Sequence, residues 1–445
     1  MLPLLVTCAR AALLVDSGQA LPAAEVRAAD AADLDGDGDL DLLMGRLASG
    51  VLILTNDGAG HLTPGATFAS TTTHGVVARD LDGDGRLDAA TCDWSGGAQV
   101  HRQDPAGGWT LTQVLPGAPC WSVAADDLDG DGDLDLVVGA RGPRLVWLND
   151  GLGQFTLGAT LPDGDWFDTR VGDLDGDGHP DLWSGSDGVQ ELWHNRGDGT
   201  FTLASTRSGY RQRQAALGDL DGDGDLDVFA STDFDGTARV YLNDGHGGLT
   251  DTGASLPVAS GWTAALADWD QDGDLDAFTG EMNDPDTIWL NDGQGHFTAD
   301  APIDDHGETL AAAAADFDGD GWPDLFLGTW LGPETLWLNT AIAVGPRLSL
   351  GGTCPGTRTL TLTGATPGGR IWGLSAAQTG HAVIPSGPCA GLDVGLAWPI
   401  TLRVNTLADA AGAWSASLTL GAAACGQRAV FVDAATCTLT PPAAL

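Results

Sequence analysis

The chain has 445 residues, more than one ordinary domain needs and enough for a repeat array plus a second domain. Its 62 acidic residues face 19 basic ones, a formal net charge of -43, which repels nucleic acid and anionic lipid and attracts divalent cations. Hydrophobic residues at 43% permit a packed core, and no apolar run is long enough to span a membrane.

At the N-terminus, Met1 to Cys8 is apolar but too short for a signal peptide and lacks a basic segment. The expectation is a leader missing from this sequence, or a start assigned late. Internal periodicity then dominates. The pattern D-x-D-x-D-G-x-x-D begins at Asp33, Asp80, Asp127, Asp173, Asp219, Asp268 and Asp316, at intervals of 46 to 49 residues. Each copy runs into a short apolar stretch, such as Leu42-Leu43-Met44 or Leu136-Val137-Val138, which predicts a strand. An Asn-Asp-Gly turn follows, clearest at Asn149-Asp150-Gly151; Asn and Gly are expected there because both tolerate positive φ. Leu62, Trp109, Phe155, Phe201, Leu249 and Phe297 then open the next strand.

A unit of about 47 residues with four strands, repeated seven times, predicts an all-β, seven-bladed β-propeller over residues 9–340. The seventh copy stops after its third strand, at Trp337 to Thr340. Val15 lies 18 residues before Asp33, the spacing of a fourth strand, so the N-terminal segment is expected to complete the last blade and remove exposed sheet edges.

The Asp loops have the composition of calcium sites. Calcium takes six to eight hard oxygens in a flexible shell. Positions 1, 3, 5 and 9 supply four carboxylates, Gly at position 6 permits the sharp reversal, and position 7 offers a backbone carbonyl. The candidate metal ligands are Asp33, Asp35, Asp37, Asp39 and Asp41; Asp80, Asp82, Asp84, Arg86 and Asp88; and Asp127, Asp129, Asp131, Asp133 and Asp135. They continue with Asp173, Asp175, Asp177, His179 and Asp181; Asp219, Asp221, Asp223, Asp225 and Asp227; Asp268, Asp270, Asp272, Asp274 and Asp276; and Asp316, Asp318, Asp320, Trp322 and Asp324. Arg86 and Trp322 at position 7 show that its side chain is not a ligand. Position 2 is always apolar and is expected to pack between blades. Gln271 replaces the usual Gly at position 4 of the sixth copy and is expected to alter that loop slightly. An EF-hand is excluded, because position 12 is never Glu and a strand follows instead of a helix. About seven Ca2+ ions are expected, one per loop.

These units resemble FG-GAP or VCBS repeats, the propeller units found in integrin α-chains and in many secreted bacterial proteins. The resemblance covers roughly residues 9 to 340. It implies a seven-bladed propeller with calcium loops between first and second strands, and it implies no particular ligand or activity.

The face opposite the calcium loops varies from copy to copy. Six residues before each first Asp stand Arg27, His74, Trp121, Phe167, Arg213, Trp262 and Leu310. Loops between second and third strands add Arg46, Trp94, Arg141, Phe234, Glu281, Asn283 and Trp330. Arg27, His74, Trp94, Trp121, Phe167, Arg213, Trp262 and Trp330 are the candidate ligand residues; Trp with Arg suits a glycan or a protein loop. No catalytic motif is present. A lyase-like secreted enzyme acting on polysaccharides is the alternative, with His74, Arg27 and Arg213 as its candidates. A calcium-dependent structural surface protein is a third reading.

After Asn339 the Asp loops cease, and residues 341–445 are expected to form a small disulfide-containing β-sandwich. Segments 359–362 and 415–418 predict strands; 364–369 and 386–388 predict turns. Cys354, Cys389, Cys425 and Cys437 allow three pairings, and Cys92 with Cys120 forms a further candidate pair. Disulfides point to an oxidising compartment, hence a secreted, extracellular or cell-surface protein.

Overall fold

The computed structural model describes residues 13–339, apart from 23–24, 70–71, 301, 304–307 and 331, together with the strands of the C-terminal part. Among the described residues there is no α-helix. The chain divides into two compact units, Met1–Thr340 and Ala341–Leu445.

In the first unit each Asp motif joins the first and second strands of a four-stranded antiparallel sheet. The pattern is set by Val26–Ala32, Asp41–Arg46, Gly50–Thr55 and Thr63–Phe68. The next sheet repeats it with Thr73–Arg79, Asp88–Asp93, Ala98–Gln103 and Trp109–Leu115. In the middle of the array Asp135–Asn149, Phe155–Gly172, Asp181–Asn195 and Phe201–Gly218 each run through two strand positions, and the continuous strands Phe155–Gly172 and Phe201–Gly218 carry the chain from one sheet into the next. The last sheet holds Thr309–Ala315, Asp324–Thr329 and Thr335–Leu338. Its fourth strand is the N-terminal Val15–Asp16, with Val15 opposite Leu338 and Asp16 opposite Trp337. The first strand of each sheet packs against the first strand of the next, and Thr309–Ala315 returns to Val26–Ala32. Repeated four-stranded sheets on a closed inner circuit are a β-propeller arrangement.

The apolar run after each Asp loop is continuous because the second strand is covered on both faces. Leu42, Leu43 and Met44 are all fully buried. Alternation would be needed only if one face met water. The fourth strands are the exposed ones, as at Thr63–Phe68. Position 2 of each motif lies between sheets: Phe317 packs with Leu42, Met44 and Leu54, and Leu128 with Leu182 and Trp193.

Hydrogen bonds tie the sheets in the same places. The position 9 Asp opens each second strand and is buried in every copy. One oxygen accepts from the position 2 N–H, as in Leu34 to Asp41 at 2.9 Å and Leu220 to Asp227 at 2.7 Å. The other accepts the N–H of the turn Asn, as in Asn56 to Asp41 at 2.8 Å and Asn149 to Asp135 at 2.7 Å. The Asn amide then donates to the position 2 carbonyl of the preceding sheet. Asn149 reaches Leu81 at 2.8 Å, Asn195 reaches Leu128 at 2.9 Å, and Asn56 closes the series on Phe317 at 2.7 Å. Gln103 takes this part in the second sheet, reaching Leu34 at 2.6 Å.

The turn Asn is therefore there for its amide. Positive φ at the turn belongs to the glycines, 72° at Gly151 and 70° at Gly245, and to none of these Asn residues. A disulfide joins Cys92, in the second sheet, to Cys120, at the start of the third, with Cα atoms 5.5 Å apart.

The second unit contains two antiparallel sheets. Arg347–Gly351, Gly356–Thr363 and Trp414–Leu420 form one, in which Leu360 faces Ala416, so 359–362 and 415–418 are strands. Thr401–Leu407, Arg370–Ala376, Arg428–Asp433 and Thr438–Leu439 follow one another in the other, and Ala443–Ala444 also pairs with Arg428–Asp433. The turns expected at 364–369 and 386–388, and Cys8, Cys354, Cys389, Cys425 and Cys437, lie outside the described residues.

Asn149→Ala removes two buried donors and strands the carbonyls of Leu81 and Leu134. We expect it to cost about 2 kcal/mol or more in urea unfolding. An unchanged midpoint would mean these bonds are not what joins the sheets.

Candidate functional site

Each Asp loop folds by bonding its own side chains to its own backbone. In the first, Asp33 accepts from Gly36 at 2.8 Å and from Gly38 at 3.1 Å, Asp35 from Asp37 at 3.2 Å, and Asp37 from Asp39 at 3.0 Å. These turns point the carboxylates inward. Asp33, Asp35 and Asp37 place oxygens within 4.8 Å of one another, as do Asp127, Asp129 and Asp135, and Asp80, Asp82 and Asp88. Several Asp clusters could thus hold a metal ion. The position 9 Asp belongs to some of them: Asp135 accepts hydrogen bonds on both oxygens, each keeping a second lone pair, while Asp88 Oδ2 has no hydrogen-bond partner.

In five loops the position 7 side chain (Asp39, Asp133, His179, Asp225, Asp274) turns away to lie over the turn glycine of its own sheet, whereas Arg86 pairs with Asp84. A Cβ on Gly151 would sit 2.3 Å from the Asp133 carboxylate, and one on Gly197 would sit 2.4 Å from the His179 ring. That orientation leaves position 7 only its carbonyl for a cation. In the sixth loop Gln271 keeps the left-handed backbone of the glycines it replaces, φ 53°, and bonds the Gly321 carbonyl at 2.8 Å. The expected alteration is thus a strained residue in the common conformation.

Two loops carry cationic or titratable neighbours that the motif does not show. Arg102, from the third strand, forms an ion pair with Asp82, and Arg86 pairs with Asp84. His194, also on a third strand, sets Nδ1 3.0 Å from Asp175 and joins Asp175 and Asp181 in a possible metal cluster. His194 directly precedes the turn Asn195, the only local signal for its place.

Without a cation the crowded carboxylates resist ionisation. Burial, then the neighbouring Asp37, raises Asp35; burial and Asp131 do the same for Asp129. Burial lifts Asp88, Asp135, Asp181, Asp227 and Asp324 to about 6, and Asp276 to about 7.

The other end of the inner strands carries a second set of residues. In all seven inner strands the pairing register slips at one residue, six before the first Asp. These β-bulge residues are Arg27, His74, Trp121, Phe167, Arg213, Trp262 and Leu310. A bulge leaves its residue outside the ladder and re-aims its side chain. The seven line one cavity of about 130 Å³. Trp94 and Trp330 join them from loops after second strands. Ring centroids are 5.2 Å apart for His74 and Trp94, 4.8 Å for His74 and Trp121, and 5.0 Å for Trp121 and Phe167. The Arg213 guanidinium lies 4.2 Å from the Phe167 ring and 4.7 Å from Trp262. Arg27 lies 5.2 Å from Trp262 and 4.4 Å from Trp330. The eight candidate ligand residues therefore form one chain of contacts.

Burial, then Arg213, lowers the Arg27 guanidinium to about 10, which leaves it charged at neutral pH. Burial, then Arg27, lowers His74 to about 4, which leaves it neutral. Other loop residues serve elsewhere. Glu281 is buried and accepts from the Ala259 N–H at 2.9 Å, Arg46 bonds the Ser49 carbonyl at 2.9 Å, and Phe234 is 72% exposed.

The repeated sheets and their Asp loops define a β-propeller-like repeat protein. The chain belongs to the FG-GAP-like repeat family, whose model matches residues 33–91, 80–138, 127–184, 173–230, 219–279 and 268–327. No curated protein sequence matches it. Among solved structures, it is similar to BBS1N in complex with ARL6DN, in a crystal soaked with lead: 11% identity, 74% of this chain and 98% of that one, TM-score 0.52. The mercury-soaked crystal of the same complex gives 12% identity, the same coverage and a TM-score of 0.52. An Agrocybe aegerita lectin that recognises non-reducing terminal N-acetylglucosamine is 20% identical over 64% of this chain and 82% of its own, with a TM-score of 0.46. At these identities the BBS1N likeness speaks to fold alone.

The raised carboxyls make the metal-free protein sensitive to pH in a defined direction. Their folded pKa values of about 6 to 7 exceed the unfolded value of about 3.9. The folded chain then holds protons that the unfolded chain releases. The stability they contribute is full below about pH 4 and is lost as pH rises through 6 to 7. In chelator, the melting temperature is expected to rise as pH falls from about 7.5 to about 5.5; a fall would contradict the assignment.

Proposed function

We propose that the protein is an extracellular, calcium-stabilised binding module. In this reading residues 9–340 are a closed seven-bladed propeller, its Asp loops take about seven calcium ions, and its opposite face binds a glycan or protein ligand. Residues 341–445 are an accessory β-sandwich. The observation that carries the reading is the set of seven in-register bulges, which bring aromatic and cationic side chains to one cavity while the Asp loops stay nearly uniform. Uniformity suits a repeated structural ion, and variation suits recognition.

Calcium fits better than magnesium. The donors are carboxylates and carbonyls on loops that bend, whereas magnesium demands rigid octahedra and keeps its waters. Affinities of about 10⁻⁴ to 10⁻³ M, typical of extracellular modules, suit this setting. The Cys92–Cys120 disulfide supports an oxidising compartment. A lyase-like enzyme is the second reading, favoured by neutral His74 beside charged Arg27.

Chelation is expected to lower the melting temperature, with recovery on adding calcium and about seven ions bound by elemental analysis. An indifferent melting temperature would end the calcium assignment. On a glycan array, Trp121→Ala and Trp262→Ala should each weaken binding at least about 10-fold. Unaltered binding would remove this cavity as the site, and unsaturated products from acidic polysaccharides would favour the enzyme.

A further inference from the structure

All 19 basic residues of this acidic chain are arginine, and the fold brings three of them to the cavity, Arg27, Arg170 and Arg213, where Arg170 pairs with Asp168 at 3.0 Å. Arg213 is answered by Asp233 at 2.7 Å, with Asp187 at 3.7 Å. Among the described residues Arg27 has no such pair and feels only the longer-range attraction of Glu25. Its Nε is buried without a hydrogen-bond partner. The Trp262 indole N–H, beside it, is also buried without a partner. Carboxylates are abundant in this protein, so the lack of an ion-paired one at Arg27 is informative. A half-buried guanidinium with unmet donors is costly until an acceptor arrives. Trp262 and Trp330 flank its carbon at 5.2 and 4.4 Å, which leaves the edge that carries the donors.

We propose that this cavity takes the carboxylate of an acidic sugar, held by the Arg27 edge, with the sugar ring against the tryptophan rim. The proposal rests on the reading of this face as a ligand site and names the ligand's chemistry. A planar fork matches a carboxylate with two parallel hydrogen bonds. The cavity of about 130 Å³ holds about four waters at ~30 Å³ each, which suits one charged ring substituent rather than a folded segment. The surrounding rings offer flat apolar faces to the C–H face of a pyranose.

The test uses the full chain loaded with calcium and three probes: short hexuronate oligomers (galacturonate, glucuronate and mannuronate), their carboxyl-reduced counterparts, and tetraglutamate. Titration calorimetry should show an acidic oligomer binding at least about 10-fold more tightly than its reduced form, the factor that one charge-assisted bond supplies. Arg27→Gln should abolish the difference in affinity between the acidic oligomer and its reduced form, and keep the wild-type melting temperature within a few degrees. Should that variant fail to fold, raising sodium chloride on the wild type should weaken only the acidic oligomer. Equal binding of both forms, or an acidic oligomer indifferent to Arg27→Gln and to salt, overturns the proposal and leaves the glycan reading standing. Binding of tetraglutamate alone, or of no probe, overturns the acidic-sugar proposal, and the glycan array then decides whether the face binds any sugar.

Discussion

A buried carboxylate at the ninth position of each Asp motif holds the repeats together. It accepts the N–H of the position 2 residue with one oxygen and the N–H of the turn Asn with the other. The same position 2 residue offers its carbonyl to the Asn of the following sheet and buries its side chain between the two sheets. One peptide is thereby held at its donor, its acceptor and its side chain. Asp suits position 9 because it is short and carries two acceptors; Asn suits the turn because one amide supplies two donors. Buried networks of this kind stabilise only when every member is satisfied. That requirement explains why both residues recur together; where Gln103 replaces Asn, the link between sheets is kept but Asp88 Oδ2 is left without a partner.

The same carboxylates set the electrostatic condition of the Asp loops. Self-bonding turns gather negative oxygens at the end of each inner strand, where burial and mutual repulsion oppose full ionisation. A divalent ion would relieve both effects, and the local departures at Arg102 and His194 show partial relief by protein groups. The loops are therefore unequal despite their common motif. Inner strands carry a loop at one end and a bulge at the other, so order imposed at the loops also steadies the strand ends that line the cavity.

The cavity follows a different logic. Bulges occur at equivalent positions in every inner strand, and there the backbone no longer demands a particular side chain. Charged, aromatic and aliphatic residues all occupy that position. The result is an uneven ring in which His74, Trp121, Phe167 and Arg213 touch in succession. Recognition by such a surface depends on which residues fall next to one another around the ring.

Seven spaced motifs, apolar runs of strand length and turn residues were enough to determine, from sequence alone, an all-β repeat with a recurring Asp cluster; the resemblance to FG-GAP repeats implied that the clusters join first and second strands. Those features are local, and local spacing is what a linear pattern records. The spacing of Arg27, His74, Trp121, Phe167, Arg213 and Trp262 before the motifs also marked one end of the inner strands. Only the tertiary structure decided that these residues are bulged, that Trp94 and Trp330 complete their circuit, and that Arg27 has no ion pair. It also decided that Asn149 and its equivalents bond across sheets, and that Arg102 and His194 enter particular loops. Each of these depends on partners from another strand or sheet, or on a register slip inside a strand, and the motif around each Asp loop records neither.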